Sequence, residues 1–416
     1  MPETVNIEKL VHGGQGLSVL ADGRKVFVWN ALPGETVSVE LWRKKKSYAE
    51  GLAVKIIKPA PERVEPKEQN YLATSPWQIM NFATENHWKQ EITSDIFQQS
   101  GIKLPDFRLQ TDGVEYHYRN KMEYSFWGDD DGVHLALYNR GSHQKQIVTG
   151  SALALPALDT AANALVAELN NRAVRAGDLK TIVVRCNQMG RVVGALYIKP
   201  KTFPKLKLPK ELAGLRVYHS NPKSPASVRT ELLHELGDCK LTDTLQGVAL
   251  QYDADSFFQV NVPVFNLALA SMKQYAEEDD MVDMYAGVGS IGLSLAQKAV
   301  DLVESDPATS AMAVLNAKTS GLKARVLVVP SEKALDYITT DKPIIFDPPR
   351  AGLHTHILDK ILEARPPKIA YLSCNPATQA RDIEKLQLAY KIINFEVFNF
   401  FPRTPHIESL AILEGI

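Results

Sequence analysis

From about residue 280 onward, short apolar runs alternate with segments of helical pattern, and this alternation constrains the fold more than any other feature of the chain. The apolar runs are Met281–Tyr285, Leu302–Glu304, Arg325–Val329, Pro343–Asp347, Lys368–Ser373, Glu396–Phe400 and Leu410–Leu413. Helical patterns such as Ser290–Lys298 and Ser310–Lys318 separate the earlier runs. Strands that alternate with helices form a doubly wound parallel sheet, in which ligands bind beyond the carboxyl ends of the strands. The last two runs are joined by a loop without a helical pattern, so we expect a terminal hairpin.

The composition requires more than one folding unit and favours a reducing compartment. With 416 residues and 45% hydrophobic content, the chain is too long for one ordinary core, so we expect two or three domains. Its three cysteines, Cys186, Cys239 and Cys374, are far apart and odd in number, which disfavours a disulfide framework. The amino terminus lacks a charged start followed by an apolar core, and no apolar run reaches membrane-spanning length. We therefore expect a soluble, unprocessed protein in the cytoplasm.

The formal net charge of -1 gives no overall field that would attract nucleic acid, so such contacts would have to come from local clusters. Two basic and polar clusters lie beside aromatic residues in the middle of the chain, one with Arg119 and Lys121 and the other with Arg140 and His143. A further lysine-rich stretch spans Lys201–Lys210. Each cluster alone is typical of solvated surface, but together they could form a face that follows a phosphate backbone.

Residues 5–60 have the pattern of short strands at close spacing with glycine turns between them, which is typical of a small antiparallel barrel of oligonucleotide-binding (OB) size. Lys44 and Lys45 belong to a basic run that falls in one of the predicted connections. Such a run is usually a solvated turn, but barrels of this size also use basic loops to hold a nucleic-acid backbone. The residues leave both interpretations open.

The organisation of the remaining chain follows from a proline-rich linker at 59–66 and a helical pattern at Asn81–Ser100. We predict a barrel at 1–62, a central α+β domain with linking helices at 63–245, and the doubly wound domain at 246–416.

Two strand ends of the doubly wound domain indicate a nucleoside cofactor. The segment Asp283–Gly292 follows the first strand, and its glycines allow the backbone to approach a ligand closely. Such a pattern is compatible with nicotinamide, flavin or adenosylmethionine binding. The next strand ends on Glu304, whose carboxylate could accept both hydroxyls of an adenosine ribose, although an acid that caps a helix would stand at the same place.

The next two strand ends and the last loop carry groups suited to covalent chemistry. Asp347 precedes two prolines, and this rigid turn could hold a flat ring or a cation, or could simply end the strand. Cys374 ends the following strand, and the Asn-Pro step after it favours an exposed sulfur. Free cysteine is most often a buried apolar group, but this position favours a nucleophile. His406 or Glu408 could supply the general base, or their loop could be only a proline-stiffened hairpin.

Together these motifs resemble the RNA 5-methyluridine methyltransferases over most of the chain. The matching segments are Ser373-Cys374-Asn375-Pro376, Asp347-Pro348-Pro349-Arg350, Thr404-Pro405-His406-Ile407-Glu408 and Ser256-Phe257-Phe258-Gln259-Val260-Asn261. The segments Gly13-Gly14-Gln15-Gly16 and Ala31-Leu32-Pro33-Gly34-Glu35 are similar to the RNA-binding TRAM barrel that many members carry. The resemblance implies a Rossmann-like class I methyltransferase domain, S-adenosylmethionine as cofactor and RNA as partner. We further expect a monomer.

The resemblance also implies roles for single residues. Cys374 would add to C6 of a uracil and make C5 nucleophilic toward the methyl group of S-adenosylmethionine, and Glu408 would then remove the C5 proton. Asp347 would contact the target base or the cationic end of the cofactor. The residues implied around the cofactor are Gln259, Tyr285, Gly287, Ser290, Glu304 and Asp347. The expected substrate is a uridine flipped out of a loop of ribosomal or transfer RNA.

The chain departs from the family at one site. Many members hold a four-iron cluster with four cysteines, but the corresponding segment Tyr71–Met80 contains none. We therefore predict no iron–sulfur cluster and no metal. We expect Pro76, Trp77, Ile79 and Met80 to replace the cluster by apolar packing.

Two other functions stay open. An RNA cytosine-5 methyltransferase also adds a cysteine to C6, but typically carries a second cysteine beside the Asp-Pro-Pro turn, and Asp347–Gly352 has no thiol. A noncatalytic RNA-binding protein could keep the same fold, although the joint presence of Cys374 and Glu408 disfavours it. A nicotinamide oxidoreductase is disfavoured by the Asp-Pro-Pro-Arg turn and by the cysteine.

Overall fold

The computed structural model describes residues 2–140, 144–224, 227–275 and 280–416, and these residues form four sheets with helices against them. The strands are β1 (Glu3–Asn6), β2 (Lys9–Leu10), β3 (Gly16–Val19), β4 (Lys25–Trp29), β5 (Thr36–Lys44), β6 (Tyr48–Lys58), β7 (Leu109–Gln110), β8 (Lys121–Asp129), β9 (Gly132–Tyr138), β10 (Lys145–Ile147), β11 (Leu179–Cys186), β12 (Val192–Ile198), β13 (Gly214–His219), β14 (Glu231–Gly237), β15 (Lys240–Leu245), β16 (Val248–Asp253), β17 (Asp280–Asp283), β18 (Ala299–Glu304), β19 (Lys323–Val328), β20 (Ile344–Phe346), β21 (Lys368–Ser373), β22 (Tyr390–Phe398) and β23 (Glu408–Gly415). The helices are α1 (Tyr71–Thr74), α2 (Phe82–Gln99), α3 (Pro156–Asn171), α4 (Val262–Lys273), α5 (Gly292–Leu295), α6 (Pro307–Thr319), α7 (Thr355–Ala364) and α8 (Pro376–Leu386).

The first sheet has the order β1-β5-β6-β4-β3-β2 and closes on itself, because the amino-terminal segment pairs through β1 with β5 and through β2 with β3. Alternate residues such as Val26, Val28, Val37 and Val39 point into its core, as the period of a strand requires. The sequence placed Lys44 in a connection, but the structure extends β5 through it because the last part of β5 pairs with the start of β6. Identification of this closed sheet as a TRAM domain stays a prediction.

The second sheet has the order β10-β9-β8-β11-β12-β13-β14 and is covered by α3. Leu158, Leu165 and Leu169 of this helix are fully buried against the sheet. The hairpin of β15 and β16 forms a separate pair next to it.

The third large sheet, with the order β19-β18-β17-β20-β21-β23-β22-β7, is the doubly wound sheet that the sequence predicts. Strands β17 to β21 are parallel, and β22 and β23 form the expected terminal hairpin. Successive residues of β21 enter different cores: Ala370 and Leu372 join the core that contains α4, whereas Ile369 and Tyr371 join the core that contains α7 and α8. Helices therefore cover both faces of the sheet.

The helix after the glycine segment is shorter than the sequence predicts. The pattern indicated Ser290–Lys298, but α5 is a single turn and Ala296 is already extended. The register explains the difference, because Asp280 of β17 pairs with Ala299 of β18 and little chain is left for a crossover helix. Helix α6, by contrast, covers the whole predicted segment Ser310–Lys318.

Helix α2 fills the predicted helical segment and packs on the third sheet. Ile92 and Phe97 of this helix share a core with Phe346 and Phe395 of the sheet. Strand β7, which follows α2, pairs in parallel with β22 at the edge of the same sheet. The predicted domain boundaries near residues 62 and 245 stay a prediction. No helix in the described part of the chain is both long and apolar enough to cross a membrane.

Candidate active site

Cys374 follows the last residue of β21 and precedes helix α8, as the sequence predicts. Asn375 has an extended backbone and caps α8, since its side chain accepts a hydrogen bond from the amide of Ala377. The Asn375 side chain also donates to the carbonyl of Arg350 at 2.9 Å. Cys374 is half-buried, so its sulfur is more accessible than those of the fully buried Cys186 and Cys239.

Glu408 lies beside Cys374 because of the pairing of β21 with β23. Ser373 pairs with Ser409 in this antiparallel register, so Cys374 and Glu408 occupy the same end of the two strands and the same face of the sheet. The Glu408 side chain is buried, with 3% exposure. Burial and the nearby carboxyl of Asp347 raise the pKa of Glu408 well above its usual value.

Asp347 completes a group of three acidic or nucleophilic side chains at this sheet edge. It follows the end of β20, and its Oδ2 accepts a hydrogen bond of 3.2 Å from Nε2 of Gln259. Burial and the charge of Asp283 raise the pKa of Asp347 to about 7. Burial, Glu408 and Asp347 raise the pKa of Cys374 to about 12, so the thiol is protonated in the free protein at neutral pH.

Hydrogen bonds join the Asp-Pro-Pro-Arg turn and the residues after it to helix α8, which follows Cys374. The carboxylate of Asp382 in α8 accepts hydrogen bonds of 2.8 Å from the amide of Leu353 and from the hydroxyl of Tyr371 in β21. Gly352 has a φ of +79°, and a Cβ at this position would lie 2.5 Å from Oδ2 of Asp382. The glycine is therefore required for the close approach of the turn to α8.

The glycine segment after β17 offers room for a ligand beside fixed carboxylates. Gly287 has a φ of +57°, and no atom lies within 4 Å of the place where its Cβ would stand. Its amide donates at 3.0 Å to Glu304, whose other oxygen accepts from the amide of Asp306 at 2.7 Å. The carboxylate of Glu304 is thus held at the end of β18 with lone pairs left for further donors.

Asp283 carries a buried oxygen without a partner. Its side chain is fully buried, and Oδ2 accepts a hydrogen bond of 2.9 Å from the amide of Gly292. Among the residues that the structure describes, no group makes a hydrogen bond of normal geometry to its Oδ1, although the amide of Tyr285 lies close enough to the carboxyl to lower its pKa. Burial raises the pKa of Asp283 to about 7, and the charge of Glu304 adds to that effect.

These features fit the cofactor that the resemblance implies. The open glycine and Glu304 suit an adenosine, and the carboxyls of Asp283 and Asp347 suit the cationic end of S-adenosylmethionine. Tyr285 and Ser290 are half-buried in the same segment, and burial raises the pKa of Tyr285 to about 12. The predicted cofactor residues thus lie along one edge of the sheet, with Gln259 reaching it through Asp347.

Two residues that the sequence did not single out hold the segment of Gln259 in place. The guanidinium of Arg185 in β11 donates to the carbonyl of Ser256 at 3.0 Å, and the side-chain amide of Asn120 donates to the carbonyl of Gln259 at 3.0 Å. Arg185 directly follows the apolar, buried run Ile182–Val184 of β11. A charge in such a run is the one signal that pointed to a buried hydrogen-bonding role.

The predicted RNA-binding residues lie in different surroundings. Arg140 donates from Nε to the carbonyl of Leu72 at 2.5 Å and lies 4.2 Å from the ring centre of Trp29, so it already makes contacts within the protein. Arg119 lies 6.0 Å from the ring centre of Phe401. Lys121 is half-buried, and burial together with the charge of Arg185 lowers its pKa to about 8. The remaining candidates are the exposed Lys44 and Lys45, and His143, which lies outside the described residues. Their roles in RNA binding stay predictions.

A residue of the first sheet also reaches the site, and the sequence gave no local signal for it. His12, in the loop before β3, lies close to Asn375 next to Cys374, and burial together with the charge of Arg350 lowers its pKa. A Cβ on Gly14 in the same loop would lie 2.3 Å from Pro405, so this loop packs closely on the loop that leads to Glu408.

The segment that lacks the cluster cysteines is packed as expected. Pro76, Trp77, Ile79 and Met80 are all buried, and Nε1 of Trp77 donates to the carbonyl of Gly14 at 3.0 Å. Within the described ranges, no three or more His, Cys, Asp or Glu side chains are grouped so that they could hold a metal ion. That the protein holds no iron–sulfur cluster stays a prediction.

Comparisons with known proteins agree with this geometry. The model of the tRNA (uracil-5-)-methyltransferase family matches residues 333–416. An uncharacterized RNA methyltransferase of Enterococcus faecalis is 30% identical over 98% of this chain and 96% of its own length. One of Thermotoga maritima is 25% identical over 99% of each chain.

A solved structure extends the likeness to the fold of the whole chain. Pyrococcus abyssi tRNA (uracil-54, C5)-methyltransferase, in complex with S-adenosyl-L-homocysteine, superposes with a TM-score of 0.81 at 24% identity. The superposition covers 99% of this chain and 100% of that chain. The described residues therefore have a methyltransferase fold. The family model and the relative of Enterococcus faecalis confirm the predicted family: the chain belongs to the RNA 5-methyluridine (uracil-C5) methyltransferases.

Proposed function

We propose that this RNA methyltransferase transfers a methyl group to C5 of a specific uridine in RNA through a covalent adduct between Cys374 and C6 of the base. One observation carries the proposal: Cys374 and Glu408 stand at the same end of the paired strands β21 and β23, with Asp347 beside them. A nucleophile and a carboxylate on one face of a sheet edge provide the two groups that this chemistry needs.

Bound S-adenosylmethionine supplies an electrophilic methyl group. On the chain's side, the carboxylate of Glu304 would accept the ribose hydroxyls, and Gly287 would leave room for the nucleoside. Asp347, which accepts a hydrogen bond from Gln259, would hold the cationic end of the cofactor or the target base. The Oδ1 of Asp283, which lacks a hydrogen-bond partner in the described part of the chain, would be a further acceptor in this region.

Cys374 starts the reaction, because C5 of uracil is a poor nucleophile until C6 has been attacked. As a thiolate, Cys374 forms a bond from Sγ to C6, and the electrons of the C5–C6 double bond move toward the C4 carbonyl. The resulting enolate makes C5 the atom that accepts the methyl group. Arg350 is the cation whose charge favours the Cys374 thiolate against burial and the neighbouring carboxyls.

Glu408 completes the reaction as the base. It takes the proton from C5, the double bond between C5 and C6 forms again, and the bond from C6 to Sγ breaks to release the thiolate. Burial beside Asp347 raises the pKa of Glu408, and a carboxylate of raised pKa is a stronger base for this proton.

The substrate that suits this edge is an unpaired uridine in a structured RNA. A base must leave its stack to reach a half-buried cysteine at a sheet edge. We propose a loop uridine of transfer or ribosomal RNA, held in part by a TRAM-like first sheet with Lys44 and Lys45 and by Arg119 and Lys121. A monomeric, cytoplasmic enzyme stays our expectation.

The role of Glu408 is tested by the variant Glu408→Gln. Because addition of Cys374 and methyl transfer need no base at C5, the variant should accumulate a covalent protein–RNA adduct while turnover is lost. The adduct is measured on denaturing gels after incubation with RNA and S-adenosylmethionine. The matched control is Glu414→Gln, at the other end of β23. An inactive Glu408→Gln protein that forms no adduct would remove Glu408 from the role of base.

A further inference from the structure

Helix α2 carries a buried ion pair on the face that it packs against the third sheet and its last loop. Glu85 and Lys89 stand one helical turn apart, both are fully buried, and Oε1 of Glu85 lies 3.0 Å from Nζ of Lys89. Burial lowers the pKa of Lys89, while the charge of Glu85 opposes this effect. A buried pair of this kind gives little net stability compared with apolar side chains of the same volume. The contacts of the Glu85–Lys89 pair therefore require an explanation other than stability.

Both members of the pair bind the loop that joins β22 to β23. Nζ of Lys89 donates to Oδ1 of Asn399 at 2.7 Å and to the carbonyl of Phe401 at 3.1 Å. The carboxylate of Glu85 accepts from the backbone amide of Arg403 at 3.0 Å and from the side-chain amide of Asn399 at 3.0 Å. The pair thus supplies the hydrogen-bond partners that water would otherwise provide to this buried part of the loop.

Arg403 ties the same loop to the chain segment just before α2. Its φ of +65° is rare for a residue with a side chain, so the surroundings must hold this backbone in place. Its guanidinium donates to the carbonyl of Met80 at 2.6 Å and pairs with Glu115, and its carbonyl accepts from the amide of Trp77 at 3.1 Å. The hydroxyl of Tyr118 donates to the carbonyl of Pro402 at 3.0 Å.

This loop leads directly to Glu408, the first residue of β23. We propose that Glu85 and Lys89 are positioning residues, which fix the loop of residues 399–407 and so hold the carboxylate of Glu408 where it reaches the C5 proton. The inference rests on the proposed role of Glu408 as base. It assigns a catalytic contribution to helix α2, whose buried pair contacts the loop before Glu408.

The variant Lys89→Met tests the inference, since it removes both loop contacts and keeps the length of the side chain. Misplacement of Glu408 should slow proton removal, and turnover should fall by about tenfold to hundredfold. Addition of Cys374 is not affected, so the covalent RNA adduct should accumulate, and the KM for RNA should stay within about twofold. Turnover, KM and adduct are measured on the same RNA. Amide hydrogen exchange of residues 399–407 should rise by at least about tenfold.

The matched control is Lys9→Met. Lys9 pairs at 2.5 Å with Asp95, which lies on the same helix, but the two side chains are 42% and 41% exposed, whereas those of Glu85 and Lys89 are fully buried. This variant should keep the turnover, the adduct level and the loop exchange of the unchanged protein. The double variant Glu85→Gln with Lys89→Met keeps the inference testable if Lys89→Met alone fails to fold, because it leaves no unpaired buried charge.

Two results would overturn the inference. One is unchanged turnover in a folded variant that lacks Lys89. The other is a loss of turnover without a rise in the adduct, which is the result of a merely structural role. Failure of the proposed function looks different, because the unchanged protein would then make no 5-methyluridine and Glu408→Gln would form no adduct.

Discussion

At the scale of the residue, the candidate site contains carboxyl groups whose pKa values are raised by burial, so that they stay protonated to a higher pH. Asp283 is fully buried with one oxygen unpaired among the described residues, and Asp347 stands near it beyond the next strand. An unpaired buried acceptor costs free energy that a cationic ligand can offset. The two carboxyls therefore suit a ligand that carries positive charge, in accord with the family's cofactor.

The raised pKa of Asp283 predicts a dependence of stability on pH. Its carboxyl titrates at about 7 in the folded protein and near 3.8 when unfolded, so the folded state binds more protons between these values. The free energy of unfolding should therefore fall as the pH rises from about 4 to about 7. Asp283→Asn removes this term, so from pH 5 to pH 8 its stability should rise by about 2 kcal/mol relative to the unchanged protein.

Urea denaturation of the ligand-free proteins at the two pH values measures this effect. The control Asp280→Asn changes an exposed carboxylate at the start of the same strand and should show no such trend. A difference between Asp283→Asn and the unchanged protein that is the same at both pH values would contradict the prediction.

At the scale of the element, the segment from Ser75 to Met80 joins three parts of the chain. Trp77 is 1% exposed, its indole donates to Gly14 beside the first sheet, and its amide donates to Arg403 in the loop before β23. The resemblance of the sequence implies that cluster cysteines stand at this segment in other members of the family. In this chain, apolar packing around the side chain of Trp77 stabilises the segment.

Trp77→Ala should therefore destabilise the protein by about 3–5 kcal/mol, because it leaves a large cavity and an unpaired carbonyl. Thermal and urea unfolding followed by circular dichroism measure the change. Trp42→Ala is the matched control, since Trp42 is 47% exposed and its loss should change stability by no more than about 0.5 kcal/mol. Equal effects of the two substitutions would contradict the assigned role of the segment.

Elements with a strong pattern could be predicted from the sequence, and those shaped by neighbours could not. Helix α2 has the expected bounds within a residue or so, because a continuous helical pattern without glycine or proline and the capping Asn81 mark it locally. The helix after Gly292 was predicted too long, because the register of β17 with β18 ends it after one turn. That register depends on pairing between strands, which a local pattern does not contain.

At the scale of the whole molecule, the site draws on parts of the chain that lie far apart in sequence. Glu304, Asp347 and Cys374 could be placed on one edge because the carboxyl ends of parallel strands meet there. The partners of Gln259 could not, since the contact from Asn120 spans 139 positions. His12 lies in the loop before β3 and is close to Asn375. No pattern in the local sequence predicts this contact either. The catalytic roles of these residues stay predictions until they are measured.

Cys374→Ala provides the most direct test of the central claim. RNA from cells that carry the unchanged protein is compared with RNA from cells that carry only this variant, and 5-methyluridine is mapped along transfer and ribosomal RNA. We predict that at least one loop uridine loses its methyl group completely in the variant, because C5 cannot be activated without addition at C6. An identical 5-methyluridine map in both cells, with the variant present at normal level, would contradict the account.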